Sequence, residues 1–224
     1  MRDNSIVYQA TSRADPGRRG SDSLPSPFPI VLIPKNSGLK EKALENIKDE
    51  KIKGKIIEAR GEDIPLIVSE FVKQDKEVIG ITGEDLFKEF LLKTRNSNVG
   101  IIKRILWEDK SFLFGKPTLC LLGEKNRKIE EMEKKLRICI NSKYKELAKK
   151  YCTNLLENQG YNIEKIYASG ATEEFFSNNI ADLVIDIVCS GKSAEEAGLK
   201  VYDKLFESDI VILGGKNETI NSQG

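Results

Sequence analysis

Ala181-Asp182-Leu183-Val184-Ile185-Asp186-Ile187-Val188-Cys189-Ser190-Gly191-Lys192-Ser193 reads as a buried apolar strand that carries an acid and opens into a hydroxyl- and glycine-rich loop. Ala194-Glu195-Glu196-Ala197 follows as the first turn of a short helix. A strand, a short loop and a helix start turn backbone N–H groups outward, a geometry that can cradle a phosphate. Asp186 stands four residues before Ser190, a position from which it can hold sugar hydroxyls. Gly191-Lys192-Ser193 matches the end of a nucleoside-triphosphate P-loop, but the glycine that motif requires five residues earlier is Asp186 here. The P-loop is excluded, and an ordinary polar turn after a strand is the plain alternative. An acid within an apolar strand costs free energy unless it is paired or open at a site, and this singles out Asp186.

Outward from this stretch the chain alternates short apolar runs with helical patterns. Ile30–Ile33, Lys55–Ala59 and Val78–Ile81 read as strands, with helices predicted from about Leu39 to Ile47 and from Leu86 to Leu92. Asp63 is placed as a helix N-cap, with Pro65 in the first turn and Ile67, Val68, Phe71 and Val72 on one face. Leu119–Leu122, Leu136–Ile140, Ile163–Tyr167, Val201–Phe206 and Ile210–Leu213 are further strands. Tyr144 to Glu157 is the clearest amphipathic helix, with Leu147, Tyr151, Leu155 and Leu156 at helical spacing and Gly160 beyond its end. Another short helix starts at Gly170–Glu174. Such alternation argues for an α/β fold with parallel-rich sheet.

Composition narrows the chemistry. The 224 residues suit one large domain or two small lobes, and the net charge of +1 gives no sign of general nucleic-acid or membrane binding. The chain has no histidine, which removes Ser-His-Asp and Cys-His units and every His-ligated metal site. A metal ion is then expected as a hard cation bridging substrate phosphates, with no ligand set assigned to the protein. Cys120, Cys139, Cys152 and Cys189 show no C-x-x-C spacing and sit in apolar settings, as reduced thiols in a cytoplasmic protein would. Residues 1–28 are polar and read as a flexible extension, and 216–224 as a polar tail. Asn217-Glu218-Thr219 matches a glycosylation acceptor that has no meaning in the cytoplasm.

Several motifs in a fixed order give the chain a resemblance. Ser169-Gly170-Ala171-Thr172-Glu173, Ala181-Asp182, Asp186-Ile187-Val188, Ser190-Gly191-Lys192-Ser193 and Gly198-Leu199 follow S-G-A-x-E, A-D, D-I-V, a T/S-G-x-T loop and N-G-L. Asp63-Ile64-Pro65 and Ile79-Gly80-Ile81-Thr82-Gly83-Glu84-Asp85 follow D-I-P and L-G-I-T-G-x-D, and Arg137-Ile138 with Lys143-Tyr144 is close to R-I-A-T-K-Y. From about Ile30 to Leu213 the chain resembles the catalytic part of ATP phosphoribosyltransferase, the first enzyme of histidine biosynthesis, in a short, divergent form.

The resemblance implies a two-lobed fold like the type II periplasmic binding proteins, with a cleft between the lobes. Residues 29–107 and 197–215 would form lobe I and 108–196 lobe II. It implies transfer of phosphoribosyl from phosphoribosyl pyrophosphate to N1 of ATP, with magnesium and release of pyrophosphate. By position, Ser190, Gly191, Lys192 and Ser193 would hold the 5′-phosphate, Asp186 the ribose hydroxyls, and Glu173 would line the same cleft. Thr82, Gly83 and Asp85 would face it from the other lobe. Lys35 matches the basic residue of the family's P-K-G-R-L, whose arginine is missing from Pro34-Lys35-Asn36-Ser37-Gly38-Leu39. The family's C-R-L is Pro117-Thr118-Leu119 here, so Lys116 is the nearest cation. Each lost arginine removes a charge-assisted contact worth about 1.5–3 kcal/mol. The short length implies a homodimer or a regulatory partner resembling a histidyl-tRNA synthetase catalytic domain. A two-lobed module that binds a phosphorylated metabolite without catalysis is the alternative. Glu84, Asp85 and Glu173 also have a simpler reading as helix-start residues.

Overall fold

The structure is a computed structural model that describes residues 29–216. The extension at 1–28, the tail beyond Lys216 and the Asn217-Glu218-Thr219 triplet lie outside the described residues. In chain order the first elements are β1 (Ile30–Pro34), α1 (Ser37–Asp49), β2 (Lys55–Ala59), α2 (Ile64–Val72), β3 (Val78–Gly83), α3 (Glu84–Lys93) and β4 (Val99–Ile105). They continue with β5 (Thr118–Glu124), β6 (Lys135–Asn141), α4 (Lys145–Tyr151), β7 (Asn162–Ala168), α5 (Thr172–Ser177), β8 (Leu183–Val188), α6 (Lys192–Glu196), β9 (Leu199–Glu207) and β10 (Ile210–Gly215). The strands form two five-stranded sheets, β2-β1-β3-β10-β4 and β7-β6-β8-β5-β9. The chain divides into two compact units, one of residues up to Thr82, Asn98–Lys103 and from Ile212, the other of Gly83–Ser97 and Arg104–Val211.

In the first unit β1 pairs in parallel with β2 and β3. Its core gathers Val31, Leu32, Ile33, Ala43, Ile64, Val68, Val78, Ile79 and Ile81. The start of α2 differs from the expectation. Asp63 precedes the helix but makes no side-chain cap, and its own backbone is already helical. The buried face is Ile64, Pro65, Val68 and Ser69, one step round from the residues predicted. Val99–Ile105 was not anticipated as a strand, because Lys103 and Arg104 interrupt its alternation.

The second unit holds a mixed sheet. β6 pairs in parallel with β7 and β8, while β5 runs antiparallel to β8 and β9. Lobe I was expected to include residues 197–215, yet Leu199–Glu207 pairs with Thr118–Glu124 and so joins the second sheet. Side chains alternate across a strand, and β8 divides accordingly. Leu183 and Ile185 point into a core with Leu119, Leu121, Ile138, Tyr144, Ala148 and Cys152. Val184 and Val188 point the other way, into a core with Cys120, Leu122, Cys139, Ala168 and Ala194, backed by Phe175 and Phe176. Asp186 shares the parity of Val184 and Val188 and therefore sits on the side of α5 and α6.

The predicted long helix is less regular than its pattern. α4 ends at Tyr151, widens into a π turn over Cys152–Leu156, and tightens again before Gly160, which is left-handed at φ +84°. The wider turn rotates Leu155 outward to 41% exposure, although helical spacing had placed it with Leu156 in the core. The helix is fixed at its start by Glu89, whose carboxylate accepts the N–H groups of Glu146 (2.9 Å) and Leu147 (2.9 Å) and pairs with Lys93 (3.0 Å).

Candidate functional site

The connections around β6 run in opposite directions. From β6 the chain passes through α4 to β7 on one side, then through α5 to β8 on the other. Such a reversal opens a crevice beyond the carboxyl ends of the parallel strands, where α/β sheets bind their ligands. Three segments meet at that end, beginning at Asn141, the last residue of β6, at Ser169 after β7 and at Cys189 after β8.

Asp186 lies at this end and is 8% exposed. Asn141 Nδ2 donates to its Oδ1 (2.9 Å), as does the Ile187 N–H (2.7 Å), and Thr172 Oγ1 donates to its Oδ2 (2.6 Å). Burial pushes the Asp186 carboxyl above the usual carboxylate range, and the three donors pull it back only in part. Glu173, half-buried, adds its negative charge. Asn141 and Thr172 were not anticipated from the sequence. Thr172 lay inside the quoted Ser169–Glu173 motif, but Asn141 is 45 residues from its partner and had no local signal.

The Cys189–Ser193 loop follows. Ser190, Lys192 and Ser193 are exposed. Gly191 is left-handed at φ +79°, a conformation glycine adopts without penalty. A Cβ at Gly191 would stand 3.3 Å from Leu113 Cδ2, so Leu113 lies over the loop. The Leu113 N–H also donates to the Cys189 carbonyl at 2.8 Å. Ser190 Oγ accepts the Lys192 N–H at 3.4 Å, which folds the loop onto the start of α6. The Cys189 thiol is pushed up by burial and then by the charges of Asp85, Asp109 and Asp186. The floor of the loop is thus negative, whereas its rim offers two hydroxyls, one ammonium and first-turn N–H groups.

Asp85 is 5% exposed and held within the second unit. Ser208 Oγ donates to Asp85 Oδ1 (2.6 Å) and Tyr144 Oη to Oδ2 (2.8 Å). Tyr144 is pushed well above the usual phenol range by burial, then by Asp85. A Cβ at Gly83 would collide with Asp85 Oδ1 and push the carboxylate from its place beside Ser208. Lys116 does not stand free: its Nζ lies 2.6 Å from Asp209 Oδ1, and the same oxygen accepts the Trp107 N–H at 3.0 Å. In the first unit Thr82 is buried and its hydroxyl donates to the Gly61 carbonyl (2.8 Å), and Lys35 is exposed at the end of β1. The second unit therefore brings together Asp186, Glu173 and the Ser190–Ser193 loop, with Asp85 close enough to act on Cys189.

Among the described residues no three His, Cys, Asp or Glu side chains converge as metal ligands. All four cysteines are free, and burial raises Cys120 to about 12 and Cys139 and Cys152 to about 11, so none is a thiolate nucleophile at neutral pH. Among the described residues no helix is long and apolar enough to cross a membrane.

Comparison with known proteins points one way. A family profile described as ATP phosphoribosyltransferase matches residues 60–223. The ATP phosphoribosyltransferase of Sulfurisphaera tokodaii is 29% identical over 162 residues, covering 72% of this chain and 50% of the relative. That of Dictyoglomus turgidum is 32% identical over 151 residues, covering 67% and 62%, and that of Methanocaldococcus jannaschii 29% over 195 residues, covering 84% and 61%. The chain thus spans between half and two thirds of the length of these relatives. Among solved structures, the HisG:HisZ complex of ATP phosphoribosyl transferase from Thermotoga maritima aligns with a TM-score of 0.61 at 22% identity, covering 84% of this chain and 88% of that one. A periplasmic sulfonate-binding protein from Methylobacillus flagellatus aligns at 0.55 and 13% identity, covering 85% and 62%. At these identities the likeness is one of fold, and the fold is the α/β type of the periplasmic binding proteins.

Proposed function

The chain belongs to the ATP phosphoribosyltransferase family, and from that premise we propose that it transfers phosphoribosyl from phosphoribosyl pyrophosphate to N1 of ATP, releasing pyrophosphate. The observation that carries this reading is the Asp186 carboxylate, held by three donors at the switch point of the second sheet, four residues before the Ser190–Ser193 segment. Ser190 and Ser193 hydroxyls, the Lys192 ammonium and the outward N–H groups of the loop are suited to the 5′-phosphate. An ionised carboxylate has about four acceptor positions. Asn141, Ile187 and Thr172 take three of them, which leaves Asp186 one for a ribose hydroxyl.

Displacement at an anomeric carbon develops positive charge on the sugar. Asp186, Glu173 and Asp85 supply fixed negative charge at the loop floor, where little reorganisation is needed as the sugar becomes cationic. No covalent nucleophile is required, and aligning the two substrates supplies much of the remaining acceleration. Magnesium would enter with pyrophosphate and offset the charge of that leaving group. Among the described residues no three His, Cys, Asp or Glu side chains converge, and no residue is assigned as a ligand to that ion. Within the second unit Lys116 is committed to Asp209, and in the first unit Lys35 remains exposed. The Thermotoga maritima neighbour is a complex of two kinds of chain. We extend this to a regulatory partner for the present chain, one resembling a histidyl-tRNA synthetase catalytic domain, and place the reaction in the cytoplasm, where free thiols persist.

The test is formation of phosphoribosyl-ATP from both substrates with magnesium, with and without that partner. Product supports the assignment. A folded chain that binds phosphoribosyl pyrophosphate but yields no product in either condition leaves it a binding module.

A further inference from the structure

We propose that Thr172 and Asn141 are positioning residues that fix the Asp186 carboxylate, one donor to each oxygen, so that an ionised acid meets the ribose. The inference rests on the phosphoribosyl reading of the site and adds to it two residues from different elements.

The geometry is built for the contact. Thr172 is fully buried, Asn141 is 9% exposed and Asp186 is 8% exposed, so neither of the two bonds competes freely with water. Ala171, immediately before Thr172, is left-handed at φ +47° and ψ 42°. A non-glycine residue there stores strain that the surroundings must hold in place. Asn141 is fixed at its other end, where Oδ1 accepts the Lys143 N–H at 3.1 Å. Its amide therefore presents Nδ2, and not oxygen, to Asp186.

Without these donors burial would raise the Asp186 carboxyl further. The titratable groups in electrostatic reach of Asp186 include Glu173 from α5, Cys139 from β6, Tyr144 from the turn after it, Cys189 from its own loop, and Cys120 opposite on β5. Burial raises these thiols and the phenol, which keeps them neutral at physiological pH, and Glu173 is a like charge. Hydrogen bonds to the charged form are what oppose burial.

The test uses the full chain with carbon-labelled aspartate, following the Asp186 carboxyl by NMR from acid to neutral pH, with Asp186→Asn identifying the signal. Affinity for phosphoribosyl pyrophosphate with magnesium is measured over the same range. Thr172→Val removes the hydroxyl at nearly constant shape, and Thr172→Ser restores it. Asn141→Ser removes the amide donor while keeping a hydroxyl that can accept the Lys143 N–H. The Asp186 midpoint should move up in Thr172→Val and in Asn141→Ser and return in Thr172→Ser. Affinity in Thr172→Val should fall roughly tenfold at the acid end, with a smaller loss as pH rises. If Thr172→Val does not fold, Asn141→Ser and Thr172→Ser decide the matter. An unchanged midpoint overturns the proposal, and so does a moved midpoint with unchanged affinity at every pH. Failure of the parent chain to bind phosphoribosyl pyrophosphate overturns the reading of the site instead, because the midpoint is measured without ligand.

Discussion

Replacing Asp186 by asparagine keeps the shape of the side chain and removes its charge, which separates binding from folding. The folded carboxyl lies above its unfolded value because burial outweighs its donors. The native state therefore holds a proton more readily than the unfolded chain. Stability contributed by this group falls as pH rises from the ordinary aspartate range through the raised folded value, and at neutral pH the buried charge is a net cost. The substituted amide would keep its oxygen toward Asn141 and Ile187, and Thr172 can rotate its hydroxyl to accept the new N–H donor. Asp186→Asn should thus melt at the parent temperature or up to roughly 2–4 °C higher at neutral pH, while affinity for phosphoribosyl pyrophosphate collapses. Thermal melts at neutral and acid pH check this, and a large drop at neutral pH would count against a functional role for the charge. Tyr144 behaves oppositely. Its hydroxyl is one of two that hold buried Asp85, so Tyr144→Phe should lower stability by about 1–3 kcal/mol in denaturant titration.

At the scale of elements, short connections decide the site. The Cys189–Ser193 loop depends on Gly191 being left-handed and on Leu113 lying against it. Gly191→Ala adds a Cβ in a conformation that costs about 1–2 kcal/mol and presses it against Leu113. We expect that loss in stability together with weaker binding of phosphoribosyl pyrophosphate, measured by denaturation and calorimetry. Wild-type affinity in this variant would remove the loop from the phosphate site. α4 shows how a helix can be set by a distant acid. Glu89, on α3, takes the N–H groups of Glu146 and Leu147, so Glu89→Ala should cost about 2 kcal/mol through two orphaned donors and an unpaired Lys93.

For the whole molecule the prediction is one of linkage. A ligand that binds only the folded chain stabilises it by about 2.7 kcal/mol at a hundredfold excess over its dissociation constant. Phosphoribosyl pyrophosphate with magnesium should raise the melting temperature of the parent, and much less that of Asp186→Asn. By itself the sequence determined the strand–helix alternation, the strand bearing Asp186, the loop after it and the family. Those features are local patterns of apolar spacing, turn residues and motif order, which read directly from the chain. Only the tertiary structure decided that β9 joins the second sheet, that Leu155 faces outward, that Lys116 is paired with Asp209, and that Asn141 and Thr172 hold Asp186. Each of these rests on a strand pairing, a helix irregularity or a buried hydrogen bond. Such features arise from which segments pack together, as with the 45 residues separating Asn141 from Asp186, and local periodicity carries no record of them.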